Sequence, residues 1–110
     1  MIRYRVVVTP IAVDKIAEYA AYIAQQAGSI EVATRWSDRV HAKLSTLCTF
    51  PARHGLAEED AHRGYTIRRQ IVGKHLALYT VDEVSRTVYV VGFRHGHMLP
   101  RPDELPESPR

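Results

Sequence analysis

The pattern of hydrophobic and polar residues divides the chain into a short strand, two helices and three further strands. The run from Arg3 to Val8 alternates and then turns apolar, which is typical of a strand that starts at a sheet edge and runs inward. Thr9 and Pro10 follow, an N-cap residue and a proline at the first helical position. The apolar residues after them recur at spacings of four, three and four, at Ile16, Ala20, Ile23 and Ala27. This spacing predicts an amphipathic helix of about five turns.

A second helical pattern begins directly after the first. Gly28 suits the left-handed position that ends a helix, and Ser29 can cap the next one. The second helix has its own apolar stripe, at Ala33, Trp36, Val40, Leu44 and Leu47. It should stop at Phe50-Pro51, because the residue before a proline avoids the α region. Since the joint between the helices is so short, they should form an antiparallel hairpin.

The last part of the chain has three apolar runs of strand length. The first, from Tyr65 to Val72, alternates so that one face carries Tyr65, Ile67 and Ile71. Gly73-Lys74 then fits a two-residue hairpin turn, because glycine tolerates the positive φ of the first central position.

The second and third runs continue this pattern. His75 to Val81 is rich in strand-forming residues and is followed by turn-favouring polar residues, Asp82 to Ser85. Arg86 to Phe93 carries a β-branched and aromatic block that indicates a buried strand. We therefore predict an α+β fold, in which an N-terminal strand and a helical hairpin pack on a small sheet completed by a three-stranded antiparallel meander.

The length of 110 residues, with 45% hydrophobic and 25% charged residues, is typical of one globular domain. We place this domain at residues 1–98. Residues 99–110 form a proline-rich tail that we expect to be extended or disordered. The longest predicted loop runs from Ala52 to Gly64, and its acidic residues Glu58, Glu59 and Asp60 are most simply solvated.

Cysteine content and hydropathy predict the compartment. The single Cys48 excludes an internal disulfide framework and fits a reducing cytoplasm. The first residues lack the long apolar segment of a signal peptide, and no stretch approaches transmembrane length. We therefore expect a cytoplasmic protein without a membrane partner.

The basic charge is unevenly placed. The formal net charge is +3, whereas the region from Tyr65 to Arg101 alone has six Lys or Arg residues against two acids. This bias is compatible with a nucleic-acid partner, with an acidic protein partner or with a solvated basic face. Direct nucleic-acid binding is therefore left open.

Two groups of residues could carry chemistry. Arg68 and Arg69 are neighbours on a strand and should point to opposite faces. Either Arg69 lies at the sheet margin, or one arginine faces an anionic ligand in bidentate geometry. Arg94, His95 and His97 could support proton transfer in phosphodiester cleavage, or they could form a solvated strand end. A His-x-His pair without a third ligand is weak evidence for a metal, so we expect neither metal nor cofactor.

The order of these features resembles the RelE/ParE superfamily, the toxins of bacterial type II toxin–antitoxin modules. The resemblance covers roughly residues 2 to 98. It depends on the Thr9-Pro10 helix start, the Phe50-Pro51 helix end, Leu78-Tyr79-x-Val81-Asp82, and the closing Arg94-His95-Gly96.

The superfamily has two branches that differ in activity. RelE-like members cut mRNA in the ribosomal A site with basic residues, whereas ParE-like members poison DNA gyrase and lack that catalytic set. Leu76 stands where the RelE-like arginine usually precedes the tyrosine, and the RelE-like arginine after the last strand falls near Gly96. Of two RelE-like lysines, the first matches Thr66 and only the second has a basic counterpart, Arg68. Because a nuclease needs such cations at its transition state, these departures favour the ParE-like branch.

The resemblance also implies a partner, a cognate ParD-like antitoxin in a hetero-oligomer. Its C-terminal segment, disordered alone, would fold over the helical hairpin and sheet. The residues we expect to contact it are Tyr19, Tyr22, Ile23, Arg68 and Arg69. The aromatic residues of the first helix could equally widen its core stripe.

The first hypothesis for function is therefore a gyrase-binding toxin without bond chemistry. One alternative is a RelE-like ribosome-dependent mRNA endonuclease, whose catalytic candidates are Arg68, Arg94, His95 and His97. Another is a degenerate toxin that retains only antitoxin binding.

Overall fold

The secondary-structure elements follow the predicted order in a computed structural model, which describes residues 2–109. The helices and strands are β1 (Arg5–Val8), α1 (Pro10–Ala27), α2 (Ile30–Ser45), β2 (Arg68–Val72), β3 (His75–Asp82) and β4 (Thr87–His95). The strands form one four-stranded sheet in the order β1-β4-β3-β2. β1 is parallel to β4, and the other neighbours are antiparallel. The predicted α+β class and the C-terminal meander are confirmed.

The predicted helix and turn signals lie where the sequence placed them. Pro10 begins α1 after an extended Thr9, whose hydroxyl donates to the carbonyl of Val90 at 2.8 Å instead of capping the helix. Gly28 ends α1 with a φ of 63°, and the Ser29 hydroxyl accepts the amide of Val32 at the start of α2. Gly73 has a φ of 60° in the β2–β3 turn, a conformation that glycine adopts at little cost because it has no Cβ.

The predicted end of α2 is wrong, because the helix ends at Ser45 and continues only as a 3-10 turn over Thr46–Cys48. The hydroxyl groups of Ser45 and Thr46 donate to carbonyl groups three residues earlier and compete with further helix. The Arg53 guanidinium then binds the carbonyl groups of Thr46, Thr49 and Phe50.

The sheet has a hydrophobic core on each face. The helices cover the larger core, which includes Ala12, Ile16, Val40, Leu44, Leu47, Tyr79, Val88 and Val90. The smaller core lies on the opposite face and consists of Ala57, Ile67, Leu78, Val91 and Leu105, with Tyr65 packed against it. The sequence predicted that Tyr65, Ile67 and Ile71 share one face of a strand. Ile67 is buried, as that prediction implies, but Ile71 is 60% exposed.

Two segments without long helices or strands cover the smaller core. The segment after α2 forms 3-10 turns at Pro51–Arg53 and Glu58–His62, and its residues 55–57 bond to the outer edge of β2. The tail has a 3-10 turn at Pro102–Glu104 and places Leu105 against the sheet. The segments therefore protect both a sheet edge and a sheet face.

β4 extends two residues beyond the predicted end at Phe93 and contains a β-bulge. The register shifts between Leu78 and Tyr79, so that Val91 has no partner of its own in β3. After this bulge, Phe93 packs in the helix-facing core, whereas Arg94 lies on the opposite face with Leu76 as its neighbour. The bulge therefore decides which face receives each polar residue of the strand end.

Tyr79 ties the sheet to the segment after α2. Its ring is fully buried, and its hydroxyl donates to the carbonyl of Pro51. Burial raises the pKa of Tyr79 to about 12.

No helix within residues 2–109 is long and apolar enough to cross a membrane.

Replacing Tyr79 with phenylalanine should lower the free energy of unfolding by about 1–2 kcal/mol, because the Pro51 carbonyl loses its donor. Folding raises the pKa of the Tyr79 hydroxyl from 10 to about 12, so the folded state favours the neutral hydroxyl. The stability that this hydroxyl contributes is therefore complete below pH 10 and is lost as the pH rises from 10 to about 12. Urea denaturation at pH 8, 10 and 11.5 measures both effects. Equal pH dependence of the two proteins would contradict the assignment of this titration to Tyr79.

Candidate functional site

The main surface feature is a groove between the helical hairpin and the β2–β3 turn, which we call the hairpin groove. Its volume is about 810 Å³. The apolar residues lining it are Tyr19, Tyr22, Ile23, Trp36, Val40, Ala42 and Val72. The polar residues lining it are Arg39, Lys43, Lys74, His75 and His95. Since none of these described lining residues is acidic, the groove combines an apolar floor with a basic rim.

Three imidazole rings lie together at the end of the hairpin groove. The His75 ring stacks on Phe93 with centroids 5.3 Å apart, and it lies 5.1 Å from the ring of His95. His97 stacks on His95 at 5.1 Å, and its amide donates to Nδ1 of that ring at 3.1 Å. Burial, and to a smaller extent His95, lowers the pKa of His75 below its usual range. His75 is therefore a neutral, packed residue at pH 7.

The packing of this cluster also fixes Tyr19. Its hydroxyl accepts the amide of His95 at 3.0 Å and donates to the sulfur of Met98 at 3.1 Å, while its ring contacts Phe93 edge-on. Within residues 2–109, no group of three or more His, Cys, Asp or Glu side chains is placed to hold a metal ion.

Arg94 lies on the opposite face of the sheet in a buried ion pair. Its Nε donates to Oε2 of Glu59 at 2.7 Å, and its Nη2 donates to Oε1 at 3.3 Å. Only 7% of Arg94 and 1% of Glu59 are exposed. The remaining nitrogen, Nη1, donates to the carbonyl of Met98 at 3.1 Å. The interpretation of Glu59 as a solvated loop residue is therefore wrong, because it neutralises Arg94 beneath the loop.

Arg68 and Arg69 point to opposite faces, as predicted, and both bind the segment after α2. Arg68 pairs with Tyr79 in the register and donates to the carbonyl of His54 at 2.7 Å. Arg69 donates to the carbonyl of Leu56 at 2.9 Å. Both arginines are half-buried and hold the segment at the sheet edge.

The four nuclease candidates are thus not assembled in one site. Arg94 lies on the face away from the helices, whereas His95 is on the helix side, where it pairs with His75 in the register. Arg68 pairs with Tyr79, which lies four residues after His75 on β3. This spacing places Arg68 about 13 Å along the strand from the His75–His95 pair.

The five residues expected to bind an antitoxin also lie in two separate places, three of them in the hairpin groove and two outside it. Tyr22 is 59% exposed and lines the hairpin groove with the half-buried Ile23 and Tyr19. Arg68 and Arg69 do not line it. Sequence reasoning missed the basic rim, although Arg39 and Lys43 are four residues apart on α2 and therefore share a helix face.

The comparison with protein families matches residues 6–100 to a family described as the ParE toxin of the type II toxin–antitoxin system parDE. The chain belongs to this family. The match covers both helices and all of β2, β3 and β4, and it ends before the 3-10 turn of the tail. The protein is thus a toxin of the type II class, and the family implies an antitoxin partner. A comparison with curated proteins gave no match.

Proposed function

We propose that this ParE-family toxin inhibits DNA gyrase by binding it, and that a cognate ParD-like antitoxin neutralises the toxin by occupying the hairpin groove. The observation that carries the proposal is the buried pairing of Arg94 with Glu59. A nuclease must place free cations around the phosphate in its transition state. The guanidinium of Arg94 is instead committed to a carboxylate.

The positions of the other candidate residues support the same conclusion. Leu76, which replaces the arginine implied for a RelE-like nuclease, lies between Ile71 and Arg94 in the sheet register. Arg68 is bound to the backbone carbonyl of His54. A toxin that acts by binding needs no such catalytic set.

The chemistry of the hairpin groove fits an amphipathic, acidic segment of an antitoxin. Tyr22 and Ile23 on α1 and Trp36 on α2 provide apolar contacts of the kind that anchor helical peptides in grooves. Lys43 and Lys74 lie on the rim, where they would meet acidic side chains. The antitoxin would therefore bind with its apolar face toward the groove.

The target can be tested by producing the protein in bacteria without antitoxin. We expect induction of the DNA damage response with intact mRNA, and inhibition of supercoiling by purified gyrase. Ribosome-dependent mRNA cleavage without DNA damage would instead identify a nuclease. Neither effect, from a folded protein that still binds the antitoxin, would identify a degenerate toxin.

Replacing Tyr22 with alanine should weaken binding of the antitoxin segment at least tenfold, because aromatic anchors carry much of the energy of such interfaces. Thermal stability should change little, since Tyr22 is 59% exposed. Calorimetric titration and thermal unfolding measure the two quantities.

Val13→Ala is the matched control, because Val13 is a 45% exposed residue of the same helix that does not line the groove. An unchanged affinity of Tyr22→Ala, or a large drop in its melting temperature, would contradict the assignment. Tyr19 is less suited to this test, because its ring is packed on Phe93.

A further inference from the structure

A second apolar cavity lies at the opposite end of the sheet from the hairpin groove. It has a volume of about 450 Å³. The residues lining it are Ile2, Tyr4, Phe50, Pro51, Ala52 and Glu83, and we call them the Phe50 surface. Phe50 is 70% exposed and Ile2 is 52% exposed. Large apolar side chains grouped around a cavity are typical of interaction sites.

The backbone at this surface is held in an unfavourable conformation. Within residues 2–109, the two residues other than glycine with a positive φ are Phe50, at 46°, and Arg86, at 50°. The Arg53 guanidinium stabilises the first of these by binding the carbonyl groups of Thr49 and Phe50. The Phe50 ring itself gains no burial from this conformation, since it is 70% exposed, and strained residues are concentrated at functional sites.

The N-terminal segment is hydrogen-bonded near both residues with a positive φ. The amide of Tyr4 donates to the carbonyl of Cys48 at 2.8 Å, close to Phe50 in the chain. The Tyr4 hydroxyl donates to Glu83 at 2.6 Å. The next residue, Arg5, donates its amide to the carbonyl of Arg86 at 2.9 Å.

The charges near this surface identify the chemistry of its partner. Four arginines, Arg3, Arg5, Arg53 and Arg86, lie on the segments that form it, and all four are exposed. Glu83 is the one acidic residue among those lining the cavity. A partner with acidic side chains around a projecting apolar residue would complement this arrangement. A phosphate backbone fits less well, because Glu83 in the cavity wall would repel it.

We propose that the Phe50 surface is where this toxin contacts gyrase, through an acidic protein surface that inserts an apolar side chain beside Phe50. This inference depends on the proposed function and adds the location of the contact. β3 separates the two surfaces, because His75 lines the hairpin groove and Glu83 follows the last residue of the strand. At about 3.3 Å per residue, the two ends are roughly 25 Å apart. Antitoxin and gyrase would therefore use different residues of the toxin.

The test replaces Phe50 with asparagine, which tolerates a left-handed backbone better than phenylalanine does. The variant should therefore fold with an unchanged or higher melting temperature. We expect the concentration needed to inhibit supercoiling by purified gyrase to rise at least tenfold, while affinity for the antitoxin is unchanged. Ile30→Asn is the matched control, because it makes a similar change at a residue that is 77% exposed elsewhere.

A charge reversal provides an independent variant at the same surface. Arg3→Glu should slow association with gyrase severalfold at low salt and much less at high salt, because the arginines attract the acidic partner over distance. Tyr22→Ala should show the opposite pattern to Phe50→Asn, with weaker antitoxin binding and unchanged inhibition of gyrase.

The possible failures are distinguishable. Absence of inhibition by the unmodified protein would overturn the proposed function and this inference with it. Inhibition by the unmodified protein and equally by Phe50→Asn would overturn only the location. Binding of the unmodified protein to a short DNA duplex without gyrase, lost in Phe50→Asn, would overturn the protein partner in favour of nucleic acid.

Discussion

Replacing Glu59 with glutamine is expected to lower the free energy of unfolding by about 3–5 kcal/mol, which is the usual cost of leaving a buried charge without its partner. Arg94 would retain its charge, because a guanidinium does not deprotonate in proteins. Its side chain is 9% exposed, so water cannot replace the lost carboxylate. Urea denaturation followed by circular dichroism measures the change.

Glu58→Gln is the matched control for this prediction. Glu58 is the adjacent carboxylate, lies 3.8 Å from Arg94 and has a side chain that is 75% exposed. An exposed pair at that distance contributes well under about 1 kcal/mol. Equal and small effects of the two substitutions would show that Arg94 is not desolvated in solution.

The predicted fold depended on signals that act over a few residues. Thr9-Pro10, Gly28-Ser29 and Gly73 each fix the backbone locally, and each lies where its pattern placed it. The order of strands and helices then leaves few ways to bury the apolar faces. Local chemistry was therefore sufficient for the class of the fold and for its element order.

The candidate site was predicted less well because its contacts join distant parts of the chain. Glu59 and Arg94 are 35 residues apart, and an acidic run in a polar loop gives no indication that one member is buried. The bulge at Val91 also changes which side of β4 faces the helices. Alternation along β4 could not by itself place Arg94 and His95 on their faces.

The end of α2 was mispredicted for a different reason. The rule for residues before proline restricts one position, Phe50, but it does not state how far upstream a helix must end. Hydroxyl groups and an arginine side chain decided that point, by binding carbonyl groups that a longer helix would use. Phe50, which lies beyond this helix end, is 70% exposed.

The tail has contacts that its composition did not reveal. Leu105 is 6% exposed and packs over Gly92, where any side chain in place of the glycine hydrogen would meet it. The Arg63 guanidinium and the Tyr65 hydroxyl donate to the carbonyl groups of Leu105 and Pro106. The family match ends at residue 100, so this cover over the smaller core lies outside the matched region.

Replacing Gly92 with valine is expected to destabilise the protein by about 3 kcal/mol, the upper part of the range for overpacking. A Cβ at this position would lie 2.6 Å from a methyl group of Leu105 and 3.3 Å from one of Leu78. The tail should leave the sheet, and a glutamate-specific protease should then cleave more rapidly after Glu104, the residue before Leu105. Thermal unfolding and timed proteolysis measure the two effects.

A double variant distinguishes displacement of the tail from general damage to β4. Leu105→Ala removes the group that the new side chain would strike, so the cost of Gly92→Val should be smaller in its presence than alone. Gly64→Ala is the control, because its φ is not positive and a Cβ there meets nothing within 4 Å. Additive effects of the two substitutions would mean that Gly92 is required by the strand itself. A non-additive result would instead establish that the absent side chain makes room for the tail.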